Sequence, residues 1–114
     1  MSKDFYFDRE DLNDFNNAIL AEDSPEYWEK FMTYYGSVFE DGALTAREKK
    51  LIALAVASLI GCPYCVEAYT KACLSEGCDK DEMTEAVHAA AALRAGATLA
   101  QFVQGKKLAD KLSF

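Results

Sequence analysis

A Cys-x-x-Cys motif between two helical segments is the feature that most constrains the fold of this chain. The motif is Cys62-Pro63-Tyr64-Cys65, and residues 51–60 before it are apolar on nearly every face. Such a run is typical of a central helix that is packed on all sides. Pro63 suits the first turn of a second helix, because the N–H that proline lacks would have no partner there. The motif is therefore predicted at a helix N-terminus, where backbone N–H groups and the helix dipole stabilise a thiolate.

Two cysteines at this spacing can cycle between dithiol and disulfide, so the motif predicts thiol redox chemistry. The chain opens with Met-Ser-Lys-Asp-Phe and continues into acidic residues, without the apolar stretch of a signal peptide. We therefore expect a cytoplasmic protein. In that compartment, cysteines are more often catalytic, metal-binding or simply buried than joined in structural disulfides.

The charge of the chain excludes two classes of partner. The net charge is −7, and residues 1–42 carry eleven Asp and Glu against three Lys and Arg. Phosphate contacts need clustered Lys and Arg, so nucleic-acid binding is not expected, and anionic membranes are disfavoured for the same reason. The longest nearly uncharged run, residues 51–64, is too short to span a bilayer.

Helix start and stop residues predict about six helices and no strand. Capping boxes are expected at Thr45 with Glu48 and at Asp79 with Glu82, while glycines end several segments. The predicted segments are residues 8–20, 25–42, 45–61, 62–76, 79–96 and 97–112, the last one interrupted by Gly105. We expect a single domain over residues 1–114, with an acidic helical segment at 1–23 and the core at 24–114.

The same tetrapeptide occurs in the active site of glutaredoxins, which have a different fold. A thioredoxin-like domain needs a strand before the motif and a later cis-proline. Here the preceding residues are rich in Ala and Leu, which favours helix, and the only prolines are Pro25 and Pro63. The glutaredoxin fold is therefore rejected, while the shared thiol chemistry is kept.

Three stretches closely resemble the alkylhydroperoxidase D and carboxymuconolactone decarboxylase superfamily. They are Leu-Thr-Ala-Arg-Glu-Lys-Lys-Leu at 44–51, the Cys-x-x-Cys at 62–65, and Glu-Ala-Val-His-Ala-Ala-Ala at 85–91. The resemblance covers roughly residues 25–105. It implies an all-α helical bundle that assembles as homo-oligomers, commonly trimers or hexamers.

Peroxidase-type members of the superfamily have a Glu twelve residues before the first Cys and a His four residues after the second. Those positions are Lys50 and Tyr69 in this chain. With Tyr69, the chain most resembles the peroxidase-like group associated with arsenosugar biosynthesis, some members of which carry selenocysteine at the second motif position. The resemblance implies that Cys65 is the nucleophile and Cys62 the resolving thiol. The reverse order remains open.

Three further residues are candidates for activating the thiol. Tyr69 lies one helical turn beyond Cys65, so its hydroxyl could donate a hydrogen bond to the sulfur. Lys50 could lower a thiol pKa if the chain folds back on itself. His88, the only histidine, could act as a general base from a neighbouring helix.

We therefore expect a peroxidase-like enzyme, a thiol-dependent oxidoreductase that reduces a peroxide or similar oxidant and is reset by an external dithiol. It needs no organic cofactor, and arsenic metabolism is one pathway to consider. The alternatives are a non-catalytic dithiol module that binds arsenite or another soft electrophile, and an architectural oligomer with vestigial thiols. A zinc site that adds Cys73 and Cys78 is a further alternative, but the spacing of the four cysteines suits zinc poorly.

Overall fold

Five α-helices and one 3₁₀ turn make up the chain between residues 8 and 113, the part that the computed structural model describes. The helices are α1 (Arg9–Asn16), α2 (Pro25–Val38), α3 (Ala46–Ile60), α4 (Pro63–Ser75) and α5 (Lys80–Leu112), with the 3₁₀ turn at Ile19–Glu22 between α1 and α2. No strand is present in these residues. The predicted all-α fold is confirmed.

Both predicted capping boxes are present. The Thr45 hydroxyl accepts a hydrogen bond from the Glu48 N–H at 3.1 Å, and the Glu48 carboxylate accepts one from the Thr45 N–H at 2.8 Å. Asp79 and Glu82 exchange the same pair of bonds at the start of α5. These bonds satisfy donors that have no partner inside the helix, and so they fix where α3 and α5 begin.

The C-terminus of α4 is a Schellman motif. Gly77 has a positive φ of 82°, the Gly77 N–H donates to the Leu74 carbonyl at 3.0 Å, and the Cys78 N–H donates to the Cys73 carbonyl at 2.9 Å. This motif commonly brings together the side chains of its first and last residues. Here these are Cys73 and Cys78, which are 0% and 4% exposed.

Helix α3 packs against both α4 and α5, as expected of the central helix. The buried cluster between the three helices contains Leu54, Cys73, Cys78 and Met83. Partly buried apolar residues surround it, among them Tyr69 of α4. The core is small, and the first two helices pack mainly on the 3₁₀ turn.

Three predicted boundaries are wrong. Helix α2 ends at Val38, four residues before the predicted stop at Gly42. The two C-terminal segments form one helix that continues through Gly96 and Gly105. Each interior glycine costs about 1 kcal/mol, but extending an existing helix avoids the larger cost of a new nucleus. The first helix is shorter than predicted because Ala18 takes a positive φ of 62° and ends it. Ser24 precedes α2, but its hydroxyl makes no capping bond in the described structure.

The second half of α5 extends away from the bundle. Apart from Gly105, every residue from 91 to 112 is exposed. The radius of gyration is 19.1 Å and the extents are 62 × 34 × 34 Å, whereas a compact chain of this length has a radius of gyration of about 13 Å. Among residues 8–113, no helix has the length and apolarity required to cross a membrane.

Candidate active site

Cys62 and Cys65 lie at the N-terminus of α4 and form a disulfide, with their Cα atoms 5.3 Å apart. Cys62 is the N-cap residue, and its Sγ accepts a hydrogen bond from the Cys65 N–H at 3.2 Å. A side-chain oxygen usually fills this capping role. In the dithiol form, a Cys62 thiolate at this position is stabilised by the same N–H and by the helix dipole.

A cavity of about 330 Å³, which we call the dithiol pocket, opens onto both cysteines. Its walls come from α1, α2 and α4, and they are largely aromatic or apolar. The lining residues that matter below are Asp11, Leu12, Phe15, Tyr35, Tyr64 and Tyr69.

A second, more open cavity of about 550 Å³, which we call the side groove, lies between α2, α3 and α4. Cys65 and Tyr69 line it, together with apolar side chains of α3 such as Ile52 and Val56. Cys65 and Tyr69 therefore line both cavities, whereas Cys62 lines only the dithiol pocket.

An aromatic row on α2 connects the N-terminal helix to the redox motif. Neighbouring ring centroids lie 5.1 to 6.0 Å apart along the row Phe15, Trp28, Phe31, Tyr35, Phe39 and Tyr69. These separations are those of favourable aromatic pairs. Trp28, Phe31 and Tyr35 recur at helical spacing, as expected of one face of α2. In this chain the row positions α2 against Tyr69 at one end and against α1 at the other.

Polar contacts attach α1 to α4. The Tyr64 hydroxyl donates a hydrogen bond to Asp11 Oδ2 at 2.9 Å, and Arg9 Nε lies 2.7 Å from Glu67 Oε1. The hydrogen bond to Asp11 raises the pKa of Tyr64, and partial burial adds to this effect. Local sequence patterns do not predict these contacts, because they join residues more than 50 positions apart.

Tyr69 is the predicted helper residue that lies closest to the dithiol in the structure. Its ring stacks on Phe39 with a centroid separation of 5.3 Å and packs against the buried core. Since it also lines both cavities beside Cys65, it combines a packing role with a position facing the candidate site.

Lys50 and His88 lie elsewhere. Lys50 Nζ is 2.5 Å from a carboxylate oxygen of Glu76, the C-cap residue of α4. Glu76 is eleven residues beyond Cys65, or roughly 16 Å along the helix. His88 is exposed on α5 and lines neither of the two cavities that reach Cys65. The structure therefore does not bring either residue to the dithiol.

The four cysteines form two separate pairs at opposite ends of α4. Cys62 and Cys65 form the disulfide, while Cys73 and Cys78 are buried free thiols. Burial raises the pKa of Cys73 from 9.0 to about 11. Within residues 8–113, no three His, Cys, Asp or Glu side chains are grouped closely enough to hold a metal ion.

Sequence reasoning missed the residues that α1 and α2 contribute to the pocket. Asp11 belongs to an acidic stretch that solvation alone would explain, and Leu12 and Phe15 read only as the apolar face of a short helix. The helical spacing of Tyr35 from Phe31 and Phe39 was the one signal that could have found it, but spacing alone does not show which neighbour this row of aromatic residues contacts.

Comparison with known proteins identifies the core of this arrangement. A protein of Paracoccus denitrificans named "Uncharacterized protein 4 in cox locus" is 39% identical over 82 residues, which cover 72% of this chain and 74% of that protein. A crystal structure of a protein from Methanobacterium thermoautotrophicum matches with a TM-score of 0.71 and 32% identity, covering 75% of this chain and 96% of the other. The carboxymuconolactone decarboxylase family profile matches residues 25–104. The chain therefore belongs to the carboxymuconolactone decarboxylase family, within the alkylhydroperoxidase D-like superfamily.

Proposed function

We propose that this protein is a thiol-dependent, peroxidase-like oxidoreductase that cycles between the Cys62/Cys65 dithiol and its disulfide. The observation that carries this proposal is the pair itself, placed at the N-terminus of α4 and open to a cavity of about 330 Å³. Family membership supports redox chemistry of this kind. Cys65 is assigned as the nucleophile because it lines both cavities and so meets a molecule that enters either one.

The proposed cycle has three steps. The Cys65 thiolate attacks one peroxide oxygen, the O–O bond breaks, and Cys65 becomes a sulfenic acid while the other oxygen leaves as an alcohol or water after taking up a proton. The Cys62 thiol then attacks the Cys65 sulfur, and water leaves as the disulfide forms. An external dithiol reduces the disulfide with two electrons and is itself oxidised.

The surroundings of the pair suit these steps. The Cys65 N–H that points at Cys62 Sγ stabilises negative charge on Cys62, which is the sulfur that must attack as a thiolate in the second step. Tyr69 is proposed to donate a hydrogen bond to the oxidised Cys65 or to the leaving oxygen. Lys50 and His88 have no part in this cycle, because the structure places them away from both cavities.

The test is the consumption of an organic peroxide in the presence of a dithiol reductant. Cys65→Ser should abolish turnover. Cys62→Ser should permit only the first oxidation, after which the sulfenic acid on Cys65 can be trapped with dimedone and located by mass spectrometry. Cys73→Ala is the control, because it removes a cysteine without touching the pocket. Unchanged turnover in Cys65→Ser would refute the assignment.

A second candidate function is a dithiol module that binds arsenite or another soft electrophile. The observation that favours it is the placement of Lys50 and His88, since neither lines a cavity that reaches the dithiol. Two close thiolates can bind trivalent arsenic directly, and soft metals and metalloids prefer sulfur. Titration of the reduced protein with arsenite, followed by intact mass, should then give a 1:1 adduct that both Cys62→Ser and Cys65→Ser abolish. Absence of that adduct would rule out this candidate.

We also propose that the chain assembles as a homo-oligomer, a trimer or hexamer as the resemblance implies. Large apolar side chains on the second half of α5 support it, since Leu93, Leu99, Phe102 and Leu108 are 57% to 74% exposed. Exposed apolar surface of this extent usually marks an interaction site.

A further inference from the structure

Helix α1 is a wall of the dithiol pocket that the family core does not supply. The family match begins at residue 25, whereas α1 spans Arg9–Asn16. Even so, Asp11, Leu12 and Phe15 of α1 line the cavity that opens onto Cys62 and Cys65. Access to the redox pair from this side is therefore shaped by residues particular to the N-terminal segment.

Contacts of three kinds hold α1 in this position. Phe15 packs edge-on against Trp28 of α2, with ring centroids 5.1 Å apart. Asp11 accepts the hydrogen bond from Tyr64, which lies between the two cysteines in the sequence, and Arg9 pairs with Glu67, whose side chain is only 16% exposed. The wall is thus attached both to α2 and to the motif helix itself.

The wall that α1 forms is apolar, and acidic residues lie at its margin. Leu12 is partly buried and faces the cavity beside Phe15. Residues 8–16 contain four carboxylates against one arginine, and one of those carboxylates, Asp11, lines the pocket. An apolar body is favoured by such a lining, while a negative charge that approaches Asp11 is repelled.

We propose that α1 determines which molecules reach the Cys62/Cys65 pair through the dithiol pocket. Leu12 limits their size and Asp11 disfavours anions, so the pocket selects uncharged molecules with a compact apolar or aromatic body. This inference rests on the proposed function for the reaction that follows, but the selection itself is a property of access to the thiols.

The size limit is tested by alkylating the reduced protein with N-methylmaleimide and N-phenylmaleimide. The measured quantity is the ratio of the rates of the two reagents at Cys62, which lines only the dithiol pocket of the two cavities, with the labelled residue located by peptide mapping. Leu12→Ala should raise the relative rate of the phenyl reagent by about tenfold, and Leu12→Trp should lower it by a similar factor. Asn13→Trp is the matched control, since Asn13 is exposed on the same helix and does not line the pocket. A ratio within twofold of the wild type in both Leu12 variants overturns the size limit.

The charge preference is tested with iodoacetamide and iodoacetate, which are similar in size but neutral and anionic. Asp11→Asn keeps an acceptor for Tyr64 and removes the charge. The preference for iodoacetamide should fall by about threefold at low ionic strength, as expected for unit charges a few ångströms apart in water. Added salt should also lower the preference of the wild type for iodoacetamide, though by less, because dissolved ions screen the charge of Asp11. Asp14→Asn, a charge change on the same helix but outside the pocket lining, should have the smaller effect. An equal effect of the two variants overturns the role of Asp11.

These experiments separate the inference from the proposed function, because alkylation requires no turnover. If Leu12 and Asp11 variants change the rate ratios while peroxide consumption is absent, selection by α1 holds and the peroxidase proposal fails. If the ratios stay constant while Cys65→Ser abolishes turnover, the peroxidase proposal holds and selection by α1 fails. Protection of Cys73 and Cys78 in every variant shows that the bundle has remained folded.

Discussion

The two cysteine pairs show how strongly position controls the reactivity of a thiol. Cys73 is fully buried and its pKa is raised to about 11, whereas Cys62 caps α4 with a backbone N–H directed at its sulfur. At pH 8 the buried thiol is therefore protonated and shielded, while the reduced motif is accessible. With limiting iodoacetamide, we expect the rate of alkylation at Cys62 or Cys65 to exceed the rate at Cys73 by at least about tenfold. Comparable labelling of Cys73 in the folded protein, seen by peptide mapping, would contradict this.

The hydroxyl of Tyr69 can be separated from its ring by substitution. Tyr69→Phe keeps the stack on Phe39 but removes the proposed donor beside Cys65. We expect peroxide turnover to fall by about two- to tenfold, the value of one hydrogen bond, with an unchanged thermal midpoint. Tyr34→Phe, at an exposed position of α2, should leave turnover unchanged. If Tyr69→Phe is as active as the wild type, Tyr69 has only a packing role.

The capped starts of α3 and α5 and the glycine stops at Gly61 and Gly77 are the boundaries that short sequence patterns predicted correctly. The αL conformation of Gly77 allows the Schellman motif, so a side chain there is strained, whereas Gly96 lies inside α5 with open space around it. Gly77→Ala should lower the free energy of unfolding by about 1 kcal/mol, and Gly96→Ala should raise it by roughly 0.5–1 kcal/mol. Urea denaturation of the two variants checks the opposite signs. A stabilising Gly77→Ala would contradict this account of the α4 terminus.

The start of α5 should make the stability of the bundle sensitive to acid. Hydrogen bonds from Arg47 and from the Asp79 backbone lower the pKa of Glu82 below its ordinary 4.5. A carboxylate with a lower pKa in the folded state stabilises the fold above about pH 4.5, and this contribution is lost as the pH falls through the folded-state pKa. Glu82→Gln should therefore lower the urea midpoint at pH 7 but have little effect at pH 3. Glu85→Gln, an exposed position of the same helix, is the control.

At the scale of the whole molecule, the exposed half of α5 predicts assembly. Leu99→Glu with Phe102→Glu should lower the molar mass measured by light scattering from that of an oligomer to that of a monomer, because charge at an apolar interface prevents its burial. Gln101→Glu, also on this half of α5, changes the charge without removing an apolar side chain and should leave the mass unchanged. A wild-type chain that is monomeric at micromolar concentration would refute assembly.

A structural feature could be predicted from the sequence when the residues that form it lie close together along the chain. The motif position, the capping boxes at Thr45 and Asp79, and the stops at Gly61 and Gly77 follow from short local patterns. The wall that α1 forms depends on Asp11 meeting Tyr64, a pairing that local patterns do not encode. The continuity of α5 through Gly96 was missed for a different reason, since a glycine lowers helix propensity without deciding whether a helix that has already started will end.

The exposed half of α5 also links folding to concentration. Residues 91–112 are attached to a helix that the bundle nucleates, but they bury little surface within their own chain. Their amides should therefore exchange with deuterium quickly in a dilute solution and slowly once copies associate, because only association removes that surface from water. Under the proposed assembly, mass action makes the fraction of chains with a protected C-terminal half depend on the protein concentration.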